Sequence, residues 1–401
     1  MKSGWVIKRV GDIAKTQYGL SESMNEDGKG FKIFRMGEVQ DGQLIDTGRM
    51  KYADISRQEF EQYKLRTGDV LFNRTNSFEL VGKTGIFTLP GDYCFASYLV
   101  RLNLDRKKVL PKFLNYFMNS ERFQNSVKGK ASRSINQANI NATILSNELI
   151  YFPESLPEQQ RIVGLVDEAF AGIATAIGNA EKNLQNAHAL FESHLQSVFS
   201  QHGKGWVDST IGEVIRFIDY RGKTPTKTSS GIRLITAKNV KMGYLQEAPM
   251  EFIASADYLG WMTRGIPQKG DVLFTTEAPL ANVAQLDTDE KVAFAQRIII
   301  MQPEKTKLDC TFLKYLLLSG PVQQRIRSKG TGATVQGIKA RLLRLIEISF
   351  PKTLTEQEQI VEKLDALHEE SQDLVSLYER KLAALEVLKK SLLYQAFTGQ
   401  L

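Results

Sequence analysis

Asn73-Arg74-Thr75-Asn76-Ser77 follows directly on Val70-Leu71-Phe72, a run of amide, guanidinium and hydroxyl groups at the end of an apolar, strand-like segment. These groups suit nucleic-acid base edges: arginine can bond guanine through two hydrogen bonds, asparagine can do the same with adenine, and threonine or glutamate can serve other edges. The frame returns as Val272-Leu273-Phe274 followed by Thr275-Thr276-Glu277. One scaffold with unlike tips predicts two readers of unlike targets, each presenting its polar residues on an exposed turn. Other candidates for nucleic-acid contact are Arg35, Lys83, Arg133, Ser134 and Asn136 in the first half. In the second half they are Arg221, Lys223, Thr224, Lys227, Lys238, Asn239, Gln296 and Arg297. Some of these would bond phosphate, which positions a protein without informing it of sequence.

Signs of catalysis are thin. His188, His194, His202 and His368 have no Cys or His partner at zinc-binding spacing, so no metal site is expected. Gly82-Lys83-Thr84 and Gly222-Lys223-Thr224 resemble the end of a phosphate-binding loop, but Ser77 and Phe217 stand where its first glycine belongs. No Gly-x-Gly-x-x-Gly opens a helix, so no nucleotide cofactor is expected in the chain. Two cysteines, Cys94 and Cys310, in 401 residues form no disulfide framework and suit a reducing compartment. The start lacks a secretion signal and no stretch approaches about 18 uninterrupted apolar residues, which predicts a cytoplasmic protein.

The elements that must position the polar residues come in duplicate. Gly4-Trp5-Val6 returns 201 residues later as Gly205-Trp206-Val207. Gly68-Asp69-Val70-Leu71-Phe72 returns 202 residues later as Gly270-Asp271-Val272-Leu273-Phe274, and Phe152-Pro153 returns 198 later as Phe350-Pro351. A period near 200 residues is a duplicated module rather than a solenoid.

The net charge of +7 is unevenly spread. Residues 1–155 carry +6 (23 basic, 17 acidic), 156–201 carry −3 (2 and 5), 202–351 carry +7 (21 and 14) and 352–401 carry −3 (6 and 9). Two basic blocks alternating with acidic spacers fit a polyanion-binding protein, since neutralising phosphates supplies most sequence-independent affinity. In the first acidic segment Ile162, Val166, Phe170, Ile173, Ile177, Ala180, Leu184, Ala187 and Phe191 step by threes and fours; in the second Ile360, Leu364, Leu367, Leu374, Tyr378, Leu382, Leu385 and Leu392 step by threes, fours and sevens. Each stripe predicts a helix of about 43 residues, roughly 65 Å long, and two such stripes in one chain can pair antiparallel as a coiled coil. The basic blocks read as short strands with turns, among them 31–36, 69–72, 85–87, 233–236, 271–276 and 297–301, with one helix each at 111–124 and 310–327.

Together these landmarks resemble one family, the specificity subunits of type I restriction-modification systems. The residues that carry the resemblance are Gly4-Trp5 and Gly205-Trp206, the two Gly-Asp-Val-Leu-Phe segments with their polar tails, and the helix start Leu156-Pro157-Glu158-Gln159-Gln160-Arg161-Ile162-Val163. The last recurs as Leu354-Thr355-Glu356-Gln357-Glu358-Gln359-Ile360, departing at Thr355 and Glu358. The resemblance implies an α+β chain with a pseudo-two-fold internal repeat. Target-recognition domains would span 1–154 and 202–352, separated by long antiparallel coiled-coil helices over 155–201 and 353–401. It implies a non-catalytic subunit that reads a split, asymmetric DNA site. Two copies of an adenine-methylating subunit, which bind S-adenosylmethionine, and a restriction and translocation subunit would be its partners. Two other functions compete with this one. A protein adaptor with two binding domains would ignore salt and DNA sequence, and a self-contained nuclease or methyltransferase would turn over alone.

Overall fold

The computed structural model describes residues 4–401 apart from 202, 204, 223, 333 and 334. The chain forms two compact units, Met1–Glu181 with Arg380–Leu401, and Lys182–Glu379. These cut across the four expected segments, because each unit takes in half of both long helices.

In the first unit Trp5–Arg9 pairs antiparallel with Leu149–Pro153, Trp5 opposite Pro153, closing the ends of the domain on each other. A six-stranded sheet orders Ala14–Tyr18, Leu99–Leu104, Val70–Asn73, Thr84–Ile86, Gln43–Leu44 and Val39–Gln40. Val70, Leu71 and Phe72 are all fully buried, so this strand is covered on both faces and reads as an unbroken apolar run. A four-stranded sheet holds Tyr93–Phe95, Phe31–Phe34, Lys51–Ala53 and Met24–Asn25, and a three-stranded one Ser132–Ser134, Gln137–Asn139 and Thr75–Asn76.

The second unit repeats the plan. Trp206–Thr210 pairs with Glu347–Pro351, Trp206 opposite Pro351. Its four-stranded sheet orders Ile215–Asp219, Ile298–Pro303, Val272–Thr275 and Val283–Gln285. Gly68 and Gly270, the landmarks before each central strand, both have left-handed backbone (φ 88° and 90°) that disfavours any side chain.

The single helices expected at 111–124 and 310–327 are each two: Pro111–Met118 and Glu121–Lys128, and Cys310–Leu318 and Gly320–Ser328. A serine makes each break. Ser120 and Ser319 take extended backbone, and their hydroxyls bond back to Phe117 O and Leu316 O, each at 2.6 Å.

The long helices are Leu156–Ser200 and Leu354–Thr398, 45 residues each. In the first unit the start of one (Ile162, Val163, Val166) shares a core with the end of the other (Leu393, Ala396, Phe397). In the second unit Leu195 and Phe199 share a core with Leu364, and Ser371 Oγ bonds Ala187 O at 2.6 Å across two small residues. The helices are therefore antiparallel. The first is apolar enough to span a membrane by length and composition (mean hydropathy 1.3 over its most apolar stretch), and Ile162, Val163, Val166, Leu195 and Phe199 of it are buried in these cores.

One glutamine per copy fastens helix to domain. Gln159 is fully buried: its Oε1 accepts Leu110 N (2.8 Å) and its Nε2 donates to Lys108 O (2.9 Å) and Pro153 O (2.8 Å). Gln357 does the same with Asp309 N, Lys307 O and Pro351 O, each at 2.8 Å. A second duplicated tie runs from Tyr116 OH to Asp167 (2.5 Å) and from Tyr315 OH to Asp365.

Candidate DNA interface

The first polar run is not an exposed turn. Asn73 is the last residue of the central strand and fully buried, its backbone bonded to Lys83 O and Gly82 N and its Nδ2 to Met36 O at 3.4 Å. The chain then joins the three-stranded sheet, where Asn139 sits opposite Thr75 and Ala138 opposite Asn76. Thr75 is buried with its hydroxyl accepting Asn139 Nδ2 at 2.8 Å. Asn73 and Thr75 are thus scaffold, because the central sheet and the neighbouring hairpin consume the backbone expected to form a loop.

Arg74 lies between the two sheets and keeps part of its surface. Its Nη1 donates to Ser97 O (3.2 Å), its Nη2 to Asn139 Oδ1 (3.4 Å), and its guanidinium carbon is 5.0 Å from the Tyr18 ring centroid. The same sheet sets Arg133 and Ser134 one strand beyond Asn76, with Ala138 between Arg133 and Asn76, although they are some 60 residues away in sequence; Asn136 lies in the turn of that hairpin. Arg133 lies 3.6 Å over the Phe78 ring, and Ile135 at the hairpin tip is 98% exposed. Arg35 belongs elsewhere: buried Glu38 accepts its Nη2 (2.7 Å) and its backbone N (2.8 Å). Lys83 also leaves the group and lines a cleft of about 290 Å³ with Lys128, Lys389 and Lys390. Burial, then the Lys83 ammonium, hold Lys128 below the ordinary lysine value. Three buried polar atoms among these candidates, Asn73 Oδ1, Arg35 Nε and Arg74 Nε, have no hydrogen-bond partner. Unsatisfied groups of this kind are rare in folded proteins.

In the second unit Thr275, Thr276 and Asn239 are buried and structural, again a correction of the expected exposed positions. Thr275 Oγ1 bonds Pro279 O (2.7 Å) and accepts Asn282 N (2.9 Å), closing the loop after its strand. Asn239 Oδ1 accepts Thr236 N and Oγ1, while its Nδ2 reaches the carbonyls of Gln246, Glu247 and Pro249. The remaining candidates converge. Arg221, Glu277, Gln296 and Arg297 line a cleft of about 320 Å³. Thr224, Lys227 and Lys238 line one of about 200 Å³ that shares Gln296 and Arg297 with it. Lys223 lies outside the described residues. Several charges are already answered: Arg221 forks onto Asp219 (2.8 and 2.6 Å) and Lys227 meets Glu251 at 2.7 Å. Burial would raise the Asp219 carboxyl, but the Arg221 hydrogen bonds outweigh it and leave its pKa below the usual value.

Backbone equivalence shows how one scaffold carries two chemistries. Arg74 N donates to Tyr98 O, and Arg74 O accepts Ile140 N; Thr276 N donates to Arg297 O, and Thr276 O accepts Ile338 N. Positions 74 and 276 therefore match, as do 98 and 297. The guanidinium has moved from one strand to its neighbour.

The sequence reading missed the second hairpin. Thr331 and Gly337 bridge each other and Gly337 bridges Glu277, as Ser132 pairs with Asn139 and Asn139 with Thr75, so Thr331 stands where Ser132 stands in the first unit. The 198-residue shift that carries Phe152 to Phe350 carries Asn139 to Gly337 and Ile140 to Ile338, and would have found this strand of it.

Among the described residues no three His, Cys, Asp or Glu side chains gather as metal ligands. Burial pushes the Cys94 thiol up to about 12 and Cys310 up to about 11, so neither is a nucleophile near neutrality.

Comparison with known proteins agrees with this geometry. The sequence profile of the type I restriction modification DNA specificity domain matches residues 2–183 and again 203–381. A Methanocaldococcus jannaschii protein assigned as the specificity subunit of type I restriction enzyme MjaX is 24% identical over 99% of this chain and 93% of its own length. The EcoKI specificity subunit of Escherichia coli K12 is 28% identical over 48% of this chain and 41% of its own. The HsdS subunit from Thermoanaerobacter tengcongensis superposes with a TM-score of 0.64 at 19% identity, covering 100% of this chain and 98% of that one. A chain from a structure of type I R-M system assembly and conformational transition gives 0.77 at 19%, covering 100% and 99%. At that identity the two structures speak for the fold.

Proposed function

The chain belongs to the type I restriction-modification DNA specificity family, matched across both halves, and from that premise we propose that it reads a bipartite, asymmetric DNA target and directs adenine methylation and restriction by partner subunits. The observation that carries this reading is the duplicated strand-and-hairpin site, with Arg74 in one copy and Glu277 with Arg297 in the other on the same backbone. Identical frames with different hydrogen-bonding groups are what two different half-sites require. The chain is the recognition component; chemistry resides in partners. Those partners would be two methylation subunits, carrying S-adenosylmethionine, and a restriction and translocation subunit, assembled in the cytoplasm. No observation favours a protein adaptor.

Mapping methylated adenines across the genome of cells carrying this chain and its partner subunits tests the reading, and should return one motif of two specified halves around an unspecified gap. Methylation without a motif, or only one specified half, would sink it. If six or more phosphates are contacted, DNA affinity should also fall roughly a thousandfold or more between about 50 and 200 mM salt. A flat salt response in a binding titration would point to a protein partner instead.

In this reading the paired helices set the gap between the half-sites. Inserting one heptad into both long helices lengthens each by about 10 Å. The gap should then grow by up to about three base pairs, at about 3.4 Å per pair. A methylation map with an unchanged gap would refute the ruler while leaving both readers in place.

A further inference from the structure

We propose that Arg297 and Glu277 together read a single G·C base pair of the second half-site, Arg297 bonding guanine and Glu277 bonding cytosine. The inference rests on the DNA-reading function above and names the base pair that one cleft of it selects.

The two side chains meet at 3.1 Å, Arg297 Nε to Glu277 Oε1, with 44% and 47% of their surfaces exposed. An ion pair this accessible contributes little to stability, so an incoming duplex can open it cheaply. Their neighbours are less available: the Arg221 fork is occupied by Asp219, and the Lys227 ammonium by Glu251. Arg297 keeps the outer edge of its fork.

The backbone is bent to hold this residue in place. Arg297 has φ 78°, in the left-handed region that side chains other than Gly, Asn and Asp seldom enter. Its carbonyl is pinned by both Thr276 N (2.9 Å) and Thr276 Oγ1 (3.3 Å), and buried Thr276 has no other evident purpose for its hydroxyl. The equivalent residue of the first unit, Tyr98, is not in that region. Strain confined to the copy that places an arginine there points to the direction of that side chain as its use.

The donor and acceptor pattern then selects the base pair. In the major groove guanine offers two adjacent acceptors, O6 and N7, and its partner cytosine offers the N4 amino donor alongside. An arginine fork next to a carboxylate presents two donors and an acceptor in the same succession. An A·T pair alternates acceptor, donor and acceptor and adds the thymine methyl, so the fork finds one acceptor and faces an amino group.

The test selects DNA from a pool of randomised duplexes with the full chain bound to its methylation subunits, comparing the wild type with Arg297→Lys and Glu277→Ala. Arg297→Lys keeps the charge and loses the fork. Both variants should lose preference at the same G·C position, by roughly ten- to a hundredfold. Every other position of both half-sites and the thermal unfolding curve should stay unchanged. Relaxation at two different positions, at an A·T pair, or at none would overturn the pairing. A wild-type chain that selects no sequence would overturn the DNA-reading function and the pairing with it, an outcome distinguishable from failure of the variants alone.

Discussion

Arg74→Ala should abolish choice at one position of the first half-site while leaving the second half-site as selective as before. A bidentate arginine contact discriminates bases by about 1–3 kcal/mol, roughly five- to 150-fold. The structure adds reasons for the upper part of that range. The guanidinium is preorganised by Ser97 O, Asn139 Oδ1 and the Tyr18 ring, so little rotamer entropy remains to be lost on binding DNA. Its Nε is buried, so only the Nη1 and Nη2 end of the guanidinium is left to meet a base. The substitution also frees Asn139, whose Nδ2 still holds Thr75 Oγ1, so the hairpin should stay docked. Binding of wild type and variant to duplexes altered one base pair at a time would show the result. Equal weakening at every position of both halves would mean that Arg74 only contacts phosphate or supports the fold.

Much of this architecture was legible because it rests on patterns that local physics enforces. The helices at 156–200 and 354–398 follow from apolar stripes at helical spacing, and a duplicated sequence read in register foretold the duplicated sheets. The candidate residues fared unevenly, and for one reason. A polar residue after an apolar strand reads as a loop tip, yet Asn73, Thr275, Thr276 and Asn239 bond buried backbone there, and Thr75 bonds the Asn139 side chain. Sequence alone cannot separate an amide that closes a loop, as Asn239 does with three carbonyls, from one that faces a ligand. Charge was ambiguous in the same way: Arg35 neutralises buried Glu38, whereas Arg297, the same residue type, stands half exposed in a cleft. What could not be seen at all was convergence. Arg133 joins Asn76 only through strand pairing, and Arg221 meets Arg297 only because sheet order sets the strand after 215 beside the one after 298.

Gln159→Leu should destabilise the first unit by about 3–5 kcal/mol, a large share of the roughly 5–15 kcal/mol that holds a domain together. Leucine matches the glutamine in size but strands the Leu110 N–H and the Lys108 and Pro153 carbonyls, all bonded to this one side chain. A buried group left without its partner costs about 1–3 kcal/mol, and a second lone pair on each carbonyl tempers the sum. For a unit near 200 residues this corresponds to a fall of roughly 10 °C or more in its unfolding midpoint. Gln357→Leu should do the same to the second unit, since its three bonds are the same three. Each glutamine ties the first turn of a long helix to both the strand before it and the loop before a domain helix. The damage should therefore appear first as lost hydrogen-exchange protection at the Leu110 amide in one variant and at Asp309 in the other. Gln159→Glu should be as harmful, because a carboxylate keeps the acceptor for Leu110 N but turns an oxygen toward two carbonyls. Calorimetry and amide exchange on the full chain decide the matter: unchanged protection at Leu110 with an unchanged midpoint would mean that helix packing through Ile162, Val166 and Phe397, and not this glutamine, fixes the helix on its domain.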